Sequence, residues 1–327
     1  MVLQMILTVV LAFVIGLLVG KWMIPVLHAL KAGQSIRDIG PSWHNSKAGT
    51  PTMGGIAFIA ACIACILVGI PSLKNGEYGH IFVFLMALAF GAIGFYDDYI
   101  KVKKKRNLGL TALQKLVLQL AVSAAYLLVL RHFDMLTNDI YVPFFNVSFT
   151  LNWVIYIIFA VFVIVGCVNA VNLTDGIDGL ASGVTIPVMI YFAVMAVTYK
   201  TGALALFPAA LAGGLAAFLV YNFHPAKVFM GDTGSLFLGG AVCGMAFALD
   251  MPLVLIPIGL IYIMETLSVI LQVGYFKRTH GKRIFKMTPI HHHFEMCGWS
   301  EKKIFAVFTS VTAALCILTW LGTAGRF

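Results

Sequence analysis

The chain has 327 residues, of which 61% are hydrophobic and only 11% are charged, and its formal net charge is +9. Its mean hydropathy of +0.96 excludes an ordinary soluble domain, in which about a quarter of the residues would be charged. Long apolar runs recur in place of alternating ones, which disfavours a β-barrel. The composition therefore predicts an all-α, polytopic integral membrane protein, with residues 1–327 forming a single transmembrane domain.

Ten segments are long and apolar enough to cross a bilayer as helices, which takes about 20 residues each. An even number of crossings places both termini on the same side of the membrane. The first segment is similar to a signal peptide, but its basic residue, Lys21, follows the apolar run, so we interpret it as a helix. The segments are approximately 2–22, 53–71, 79–96, 114–131, 151–171, 180–198, 203–221, 235–250, 252–273 and 303–323.

The distribution of positive charge predicts the orientation, because cytoplasmic loops collect Lys and Arg. The loops after odd-numbered segments, with Lys21 and Lys115 at their edges, hold 18 of the 22 basic residues. These loops are therefore expected in the cytoplasm and both termini outside it. The net charge follows from this topology and from anionic lipid headgroups, so nucleic acid is not expected as a partner.

Acidic residues concentrate on the same side. Five polar loops lie there, 23–52, 97–113, 172–179, 222–234 and 274–302, and we expect them to build the active site. Clustered carboxylate oxygens near a membrane surface suit Mg²⁺, and Mg²⁺ suits phosphate. Six of the 13 acidic residues form three groups, namely Asp97 with Asp98, Asp175 with Asp178, and Asp232 with Glu265.

The first two loops carry a glycine-rich run and an acidic pair. In the run Lys47–Gly55, glycines and Pro51 interrupt helix and expose backbone N–H groups, although a plain entry into the next helix accounts for it equally well. Asp97 and Asp98 repel each other at a helix C-terminus, where the dipole favours cations. The pair is therefore unfavourable unless a cation binds, and the alternative is two solvated carboxylates. The basic run Lys101–Arg106 is more typical of a cytoplasmic loop than of a substrate clamp.

The third and fourth loops combine acids with neutral polar residues. Asp175 and Asp178 would share one face of a helical turn, and Asn172 adds a donor and an acceptor beside them. An Asp-Gly turn between two spans is the alternative. Asp232 and Ser235 begin a helix, either as caps or as an anion site at which Asp232 holds a metal.

The fifth loop and the ninth segment contain the remaining candidates. His291, His292 and His293 are consecutive, so their side chains cannot all point at one zinc ion, and hydrogen bonds to phosphate or sugar oxygens are favoured. Glu265 lies near the middle of a span, where an ionisable group is a functional candidate. It is expected to face a cleft or to pair with a polar neighbour such as Gln272, and a neutral Glu packed between helices is the alternative.

Four motifs in fixed order resemble those of the polyprenyl-phosphate N-acetylhexosamine-1-phosphate transferases. The resemblance covers essentially the whole chain, including the ten segments. The three consecutive histidines and the run Gly49–Gly55 resemble, within that superfamily, the phospho-N-acetylmuramoyl-pentapeptide transferase family. The four motifs are Asp97–Lys101, Asn172–Ala181, Phe229–Ser235 and Pro289–Glu295.

This resemblance implies a reaction and a set of residues. The family transfers phospho-MurNAc-pentapeptide from UDP-MurNAc-pentapeptide to undecaprenyl phosphate, which gives lipid I for peptidoglycan and releases UMP. It requires Mg²⁺ and works at the cytoplasmic face of the bacterial inner membrane. The implied catalytic residues are Asp97, Asp98, Asp232 and His291, of which the three aspartates are also the implied metal ligands. The implied substrate-binding residues are Lys47, Thr52, Lys115, Asn172, Asp175, Asp178, Asn222, Ser235, Gln272 and His292.

Several alternatives stay open at this level. Asp97 acts either as a base toward the lipid phosphate or as an organiser of metal and substrate, and the second is favoured because a phosphate monoester has a second pKa of roughly 6. A groove near Glu265 is expected to hold the lipid tail. A sister enzyme that uses UDP-N-acetylglucosamine is the nearer rival. A secondary transporter is disfavoured, since transporter sites lie near the midplane. A homodimer is neither favoured nor excluded.

Overall fold

The computed structural model describes residues 1–30, 49–104, 108–199 and 201–323, and over these residues the chain is mostly helical. The prediction of an all-α architecture is confirmed. Two short 3₁₀ turns, Gly202–Ala205 and Pro252–Val254, precede α8 and α10. The helices are α1 Val2–Ala29, α2 Ile56–Ala61, α3 Ile63–Leu73, α4 Gly79–Lys104, α5 Ala112–His132, α6 Trp153–Thr174, α7 Leu180–Thr198, α8 Leu206–Asn222, α9 Gly231–Ala248, α10 Leu255–Ile258, α11 Leu260–Arg278, α12 Ile290–Met296 and α13 Glu301–Gly322.

Membrane-crossing candidates make up most of the described chain. Within it, nine helical stretches are long and apolar enough to cross a bilayer, with α2 and α3 counted as one and the Gly202–Ala205 turn counted with α8. Helices suit this role because all their backbone polar groups bond within the segment. The chain is therefore a multi-pass membrane protein. These nine stretches match nine of the ten predicted segments.

The remaining predicted segment, 235–250, corresponds to α9, whose polar first turn lowers its hydropathy. α9 runs antiparallel to α4. At one end Gly94 of α4 packs on Asp232, and near the other end Gly244 of α9 packs on Val83. At 1.5 Å per residue, an 18-residue helix is about 27 Å long. α9 therefore extends along the same thickness of the bundle as α4.

The helices differ in how much of their surface they bury. Almost every residue of α9 is buried, and α7 and α8 are mostly buried too. α1, α5 and α11 instead leave large apolar side chains exposed along their outer faces. Such a surface is costly in water and suits lipid chains, so α9 forms the centre of the bundle and these helices form its rim.

Two of the predicted spans are interrupted helices. The second predicted span breaks at Cys62, between α2 and α3. The ninth begins as a 3₁₀ turn and passes through α10 before α11, and Pro257 and Gly259 lie where α10 ends. Proline removes a backbone donor and glycine weakens helix, so this break has a local cause.

Two further elements were not predicted. Strands β1 (Asp139–Val142) and β2 (Val147–Thr150) form an antiparallel hairpin between α5 and α6. The N–H of Phe144 at its tip donates to the carbonyl of Gly322 at the end of α13, at 2.8 Å. The second element is α12, which lies inside the fifth polar loop. The hairpin and the fifth loop lie on opposite sides of the predicted topology.

Candidate active site

A carboxylate centre forms where the C-terminal end of α4 meets the start of α9. Oxygen atoms of Asp97, Asp98 and Asp232 all lie within 4.8 Å of one another. The two helices approach closely here because a Cβ on Gly94 would overlap the carbonyl oxygen of Asp232. Asp97 and Asp98 are 1% and 3% exposed, and Asp97 accepts a 2.7 Å hydrogen bond from the backbone N–H of Leu110. Two carboxylates are thus held with little access to water beside the partly exposed carboxylate of Asp232.

Two ammonium groups offset part of this negative charge. Lys101 Nζ lies 2.6 Å from Asp97, 3.6 Å from Asp98 and 2.9 Å from Asp232. Lys115 Nζ lies 2.7 Å from Asp232 and 3.1 Å from Asp97. Burial alone raises the pKa of Asp232, but the two lysines outweigh it and hold the pKa well below its usual range. Asp232 is therefore a carboxylate at neutral pH.

Lys115 owes its position to the way α5 begins. Thr111 is the N-cap of α5 and accepts a hydrogen bond from the backbone N–H of Gln114 at 3.2 Å. The Gln114 side chain in turn accepts the backbone N–H of Thr111 at 2.9 Å. This capping box satisfies two helix-end donors, which would otherwise need water. It fixes the first turn of α5, from which Lys115 reaches the carboxylates.

Neutral donors from other segments orient two of the carboxylates. Asp98 accepts the backbone N–H and the hydroxyl of Thr233, at 2.9 and 2.8 Å. The amide of Asn172, at the end of α6, donates to Asp232 at 3.0 Å and to the Ser235 hydroxyl at 2.7 Å. Since these donors come from α6 and α9, and Lys115 from α5, the centre joins four helices, α4, α5, α6 and α9.

The donor set fits a hard divalent cation. Within the part of the chain that the structure describes, it consists of carboxylate oxygens, which Mg²⁺ and Ca²⁺ prefer, without sulfur or imidazole. The ammonium of Lys101 is itself a cation and contacts all three carboxylates. The carboxylates are therefore already arranged so that they stabilise a positive charge between them. Asp97, Asp98 and Asp232 could accordingly hold a metal ion.

The first polar loop is bound to the fourth through the backbone. Gly54 N–H donates to the carbonyl of Phe229 at 2.8 Å, and Phe229 N–H donates to that of Pro51 at 2.8 Å. Thr52, nearly buried, packs against Gly231 beside the carboxylate centre. The N–H of Gly54, in the run expected to expose its backbone, is therefore already engaged, and the loop's contribution near the centre is Thr52.

The third loop is locked to the fourth loop and to the start of α13. Asp178 Oδ2 lies 2.9 Å from His224 Nδ1, and the backbone N–H of Asp178 donates to Glu301 Oε2 at 3.0 Å. The N–H of Gly179 donates to the Asn222 side chain at 3.1 Å. Ligand atoms of Asp178, His224 and Glu301 lie within 4.8 Å of one another. Because backbone N–H groups already engage these acids, the cluster braces the loops.

Three consecutive histidines in and around α12 have three different neighbours. His291 Nδ1 lies 2.9 Å from Glu265 Oε2, and both side chains are fully buried. His292 Nδ1 lies 2.6 Å from Glu295 Oε2. His293 Nδ1 accepts a backbone N–H of the same loop at 3.2 Å. The three side chains therefore have different hydrogen-bond partners, while the rings of His291 and His292 pack edge to face with their centroids 4.1 Å apart.

Gln272 bonds to the backbone of the fifth loop. Its side-chain oxygen accepts the N–H groups of Ile284 and Phe285 at 3.0 and 3.1 Å, and its amide donates to the carbonyl of Phe285 at 3.1 Å. The expected pairing of Glu265 with Gln272 is wrong, because Glu265 pairs with His291. Gln272 instead braces the fifth loop against α11.

Comparison with known proteins identifies the family. A family model described as glycosyl transferase family 4 matches residues 80–250, and a phospho-N-acetylmuramoyl-pentapeptide-transferase signature matches residues 47–59. The chain is 46% identical over 316 residues to a protein of that name from Clostridium acetobutylicum, with 96% of this chain and 97% of the relative covered. A relative of the same name from Clostridium novyi is 48% identical, with 97% and 96% covered. The chain belongs to the phospho-N-acetylmuramoyl-pentapeptide-transferase family.

The residues implied by the resemblance to this transferase family fall into one central group and several surrounding ones. The surrounding residues lie in the bracing networks, apart from Asp175, which ends α6. Lys47 lies outside the described residues. The residues that meet in or against the carboxylate centre are Asp97, Asp98, Asp232, Lys115, Asn172, Ser235 and Thr52. Those in the surrounding networks are Asp178, Asn222, Gln272, His291 and His292.

Sequence reasoning on this transferase missed several residues. Lys101 was assigned to a topological basic run, yet it contacts all three carboxylates. A signal was present, since Lys101 follows Asp98 by three residues and Asp97 by four, the spacing of facing pairs on a helix. His224 and Glu301 meet only in three dimensions and carry no comparable signal in the sequence.

Proposed function

We propose that the whole chain is one catalytic domain that transfers phospho-MurNAc-pentapeptide from UDP-MurNAc-pentapeptide to undecaprenyl phosphate, which gives lipid I and UMP. The observation that carries the proposal is the largely buried centre of three carboxylates and two lysines at one end of the bundle. Such a centre suits the charges of two phosphorylated substrates, and the bundle around it suits a lipid acceptor. Family membership points to the same reaction.

Mg²⁺ is the proposed cofactor, held by Asp97, Asp98 and Asp232. When bound, it would neutralise the pyrophosphate and stabilise UMP as the leaving group. Thr233 keeps Asp98 in place, and Asn172 keeps Asp232 in place, so each side chain turns an oxygen toward the centre without reorganising. Preorganised charge of this kind is a large part of catalysis of phosphoryl transfer.

The chain's residues position the reacting groups. An oxygen of the lipid phosphate attacks the phosphorus that carries MurNAc, a new P–O bond forms, and the bond to the UMP oxygen breaks in line. Because the second pKa of a phosphate monoester is roughly 6, the attacking oxygen is already largely deprotonated at neutral pH. Asp97 is therefore proposed as an organiser of metal and substrate, and Lys115 as a contact for substrate phosphate.

An apolar groove gives the lipid acceptor a route to the centre. It lies between α5 and α6, has a volume of about 540 Å³, and its lining includes Leu116, the residue that follows Lys115 in α5. Asn169, one turn before Asn172, lies at its lining and donates to Gln119 at 2.8 Å. None of its lining residues belongs to α11, so this groove differs from the one expected near Glu265. The lining residues are Leu116, Leu120, Ile157, Ile158, Val161, Phe162, Val165, Gly166 and Asn169.

The proposed location is the bacterial inner membrane, with the carboxylate centre facing the cytoplasm. The supporting observation is the bias of Lys and Arg toward the loops after odd-numbered segments, 18 of 22. The nucleotide-linked donor is soluble and would reach the centre from that side, while the acceptor stays in the lipid.

A single assay tests the function. Purified protein is incubated with undecaprenyl phosphate, Mg²⁺ and either UDP-MurNAc-pentapeptide or UDP-N-acetylglucosamine, and UMP release is measured, with Asp232→Asn as the inactive control. We expect turnover with the first donor only. Turnover only with the second would assign the chain to the sister activity. Uptake into proteoliposomes without UMP release would instead support a transporter.

A further inference from the structure

A buried acid–base pair lies outside the carboxylate centre. Glu265 on α11 and His291 on α12 are both fully buried, with Oε2 of Glu265 2.9 Å from Nδ1 of His291. The same oxygen lies 3.4 Å from the backbone N–H of His291. A carboxylate buried in a membrane protein is expensive, and it is seldom retained without a function. The pair therefore needs an explanation beyond packing.

The other ring nitrogen of His291 has a defined direction. Nε2 is packed against Gly176, since a Cβ on Gly176 would overlap it. Among the described residues, Nε2 has no hydrogen-bond partner. A buried polar nitrogen without a partner costs roughly 1–3 kcal/mol. Nε2 is thus directed at the third polar loop and lacks the acceptor or donor that would satisfy it there.

The third loop connects this nitrogen to the carboxylate centre. Asn172 donates its side chain to Asp232, and its backbone carbonyl accepts the N–H of Asp175 at 3.3 Å. Gly176, which Nε2 contacts, is the next residue. One turn of backbone, residues 172–176, therefore lies between Asp232 and His291. A substrate bound on this turn would contact both side chains.

We propose that Glu265 is a positioning residue for the transferase reaction: it fixes Nδ1 of His291 as the protonated nitrogen and aims Nε2 across Gly176 at an oxygen of the nucleotide-linked substrate. The inference rests on the proposed function and adds a residue to it. Oε2 faces both the backbone N–H and Nδ1 of His291, so as an ionised carboxylate oxygen it accepts from both, and Nε2 is left as the unprotonated nitrogen that faces Gly176. Carboxylate–histidine pairs that hold a ring in one tautomer are familiar at catalytic sites.

Kinetics of paired variants test the inference. Glu265→Leu removes the acceptor at similar volume, and we expect kcat to fall about 10- to 100-fold, the effect of removing the carboxylate behind a ligating histidine. Glu265→Gln keeps an oxygen in the place of Oε2 and is expected to stay within about threefold of wild type. Ser268→Ala, one turn further along α11, removes only a hydrogen bond to the Glu265 carbonyl and serves as the control.

The combination with His291→Asn separates positioning from a structural role. If Glu265 acts through His291, Glu265→Leu costs nothing further in kcat once His291→Asn is present. An equal loss in both backgrounds, or a Glu265→Leu enzyme as active as Ser268→Ala, would overturn the inference. Size-exclusion elution establishes that each variant is folded.

A second measurement needs neither a variant at Glu265 nor turnover. In wild-type protein labelled with ¹⁵N-histidine, the signal that disappears in His291→Asn should report a proton on Nδ1. A proton on Nε2 alone would overturn the inference even if the enzyme is active. Absence of UMP release from wild type would count against the proposed function alone, since the tautomer is read independently.

Discussion

At the scale of single residues, Lys101 is the most informative side chain of the centre, because it is a cation where a metal ion would also be stabilised. Two unit charges 4 Å apart interact with an energy of about 4 kcal/mol at an effective dielectric constant of 20. The lysine ammonium and a bound metal ion would therefore repel each other strongly. We predict that Lys101→Met raises the affinity for Mg²⁺ about tenfold, a difference of ~1.4 kcal/mol. Calorimetric titration of purified protein measures this affinity.

Lys103→Met is the matched control for that titration. Lys103 belongs to the same basic run, but its ammonium lies 5.5 Å from the centre of the Tyr99 ring, to which it makes a cation–π contact. Its removal should leave Mg²⁺ affinity unchanged. If affinity instead falls in Lys101→Met, the lysine is needed to hold the carboxylates together, and the competition argument fails.

Asp97 decides between two mechanisms at the same scale. Its carboxylate is held by Lys101, Lys115 and a backbone N–H, which suits an organiser. We predict that Asp97→Asn lowers UMP release at least 100-fold and that activity does not recover between pH 7 and about pH 9, because the lipid phosphate is already dianionic there. Recovery with rising pH, in an enzyme that still binds Mg²⁺ and both substrates, would establish Asp97 as a base.

The sequence predicted the acidic members of the site better than the basic ones. Carboxylates at the ends of apolar helices are rare enough to stand out, and Asp97, Asp98 and Asp232 do meet. Lysines in the same loops are common, because topology alone selects them, so Lys101 did not stand out. The partner of Glu265 depends on how a distant loop folds back onto α11, which local pattern does not determine.

At the scale of helices, the contact between α4 and α9 builds the centre. Gly94 makes the contact possible, since a Cβ there would overlap backbone atoms of Asp232, which cannot move without shifting the helix. We predict that Gly94→Ala separates the acids of α4 from Asp232, lowers UMP release at least tenfold and destabilises the fold by about 1–3 kcal/mol, as overpacking does. Activity and thermal unfolding in detergent measure the two effects.

Gly274→Ala controls for the general effect of alanine in a helix. A Cβ at this position on α11 meets none of the described residues within 4 Å, so the substitution should keep activity and leave stability equal or slightly higher. Equal behaviour of the two alanine variants would mean that α4 and α9 can separate without harm to the centre.

Helix identity was predictable from apolar length, but helix interruptions were not. Ten segments stand out because backbone groups in lipid must bond within a helix. The break at Cys62 has no proline beside it, and the hairpin owes part of its place to a bond between Phe144 and Gly322. Both features depend on packing between distant segments, which composition does not report.

At the scale of the whole molecule, α9 decides the topology. By composition it is not among the nine crossing stretches of the described chain, yet it is aligned along α4 from Asp232 to Gly244. With α9 as a crossing, five crossings separate the hairpin from the fifth loop, through α6, α7, α8, α9 and α11. Without it the number is four, and the two would share a side.

The native cysteines make it possible to measure whether the hairpin and the fifth loop lie on opposite sides of the membrane. Cys297, in the fifth loop, is exposed, whereas Cys62, Cys65, Cys243 and Cys316 are buried and Cys167 is half-buried. We predict that a membrane-impermeant maleimide labels Cys297 in inverted vesicles and leaves it unlabelled in intact spheroplasts. A Ser148→Cys substitution on the exposed β2 strand should show the reverse pattern, with Cys297→Ser as the background. Labelling of both positions from the same side would mean that α9 does not cross. Labelling of Cys297 in intact spheroplasts would reverse the orientation and remove the centre from the cytoplasmic face, where its nucleotide-linked substrate is expected.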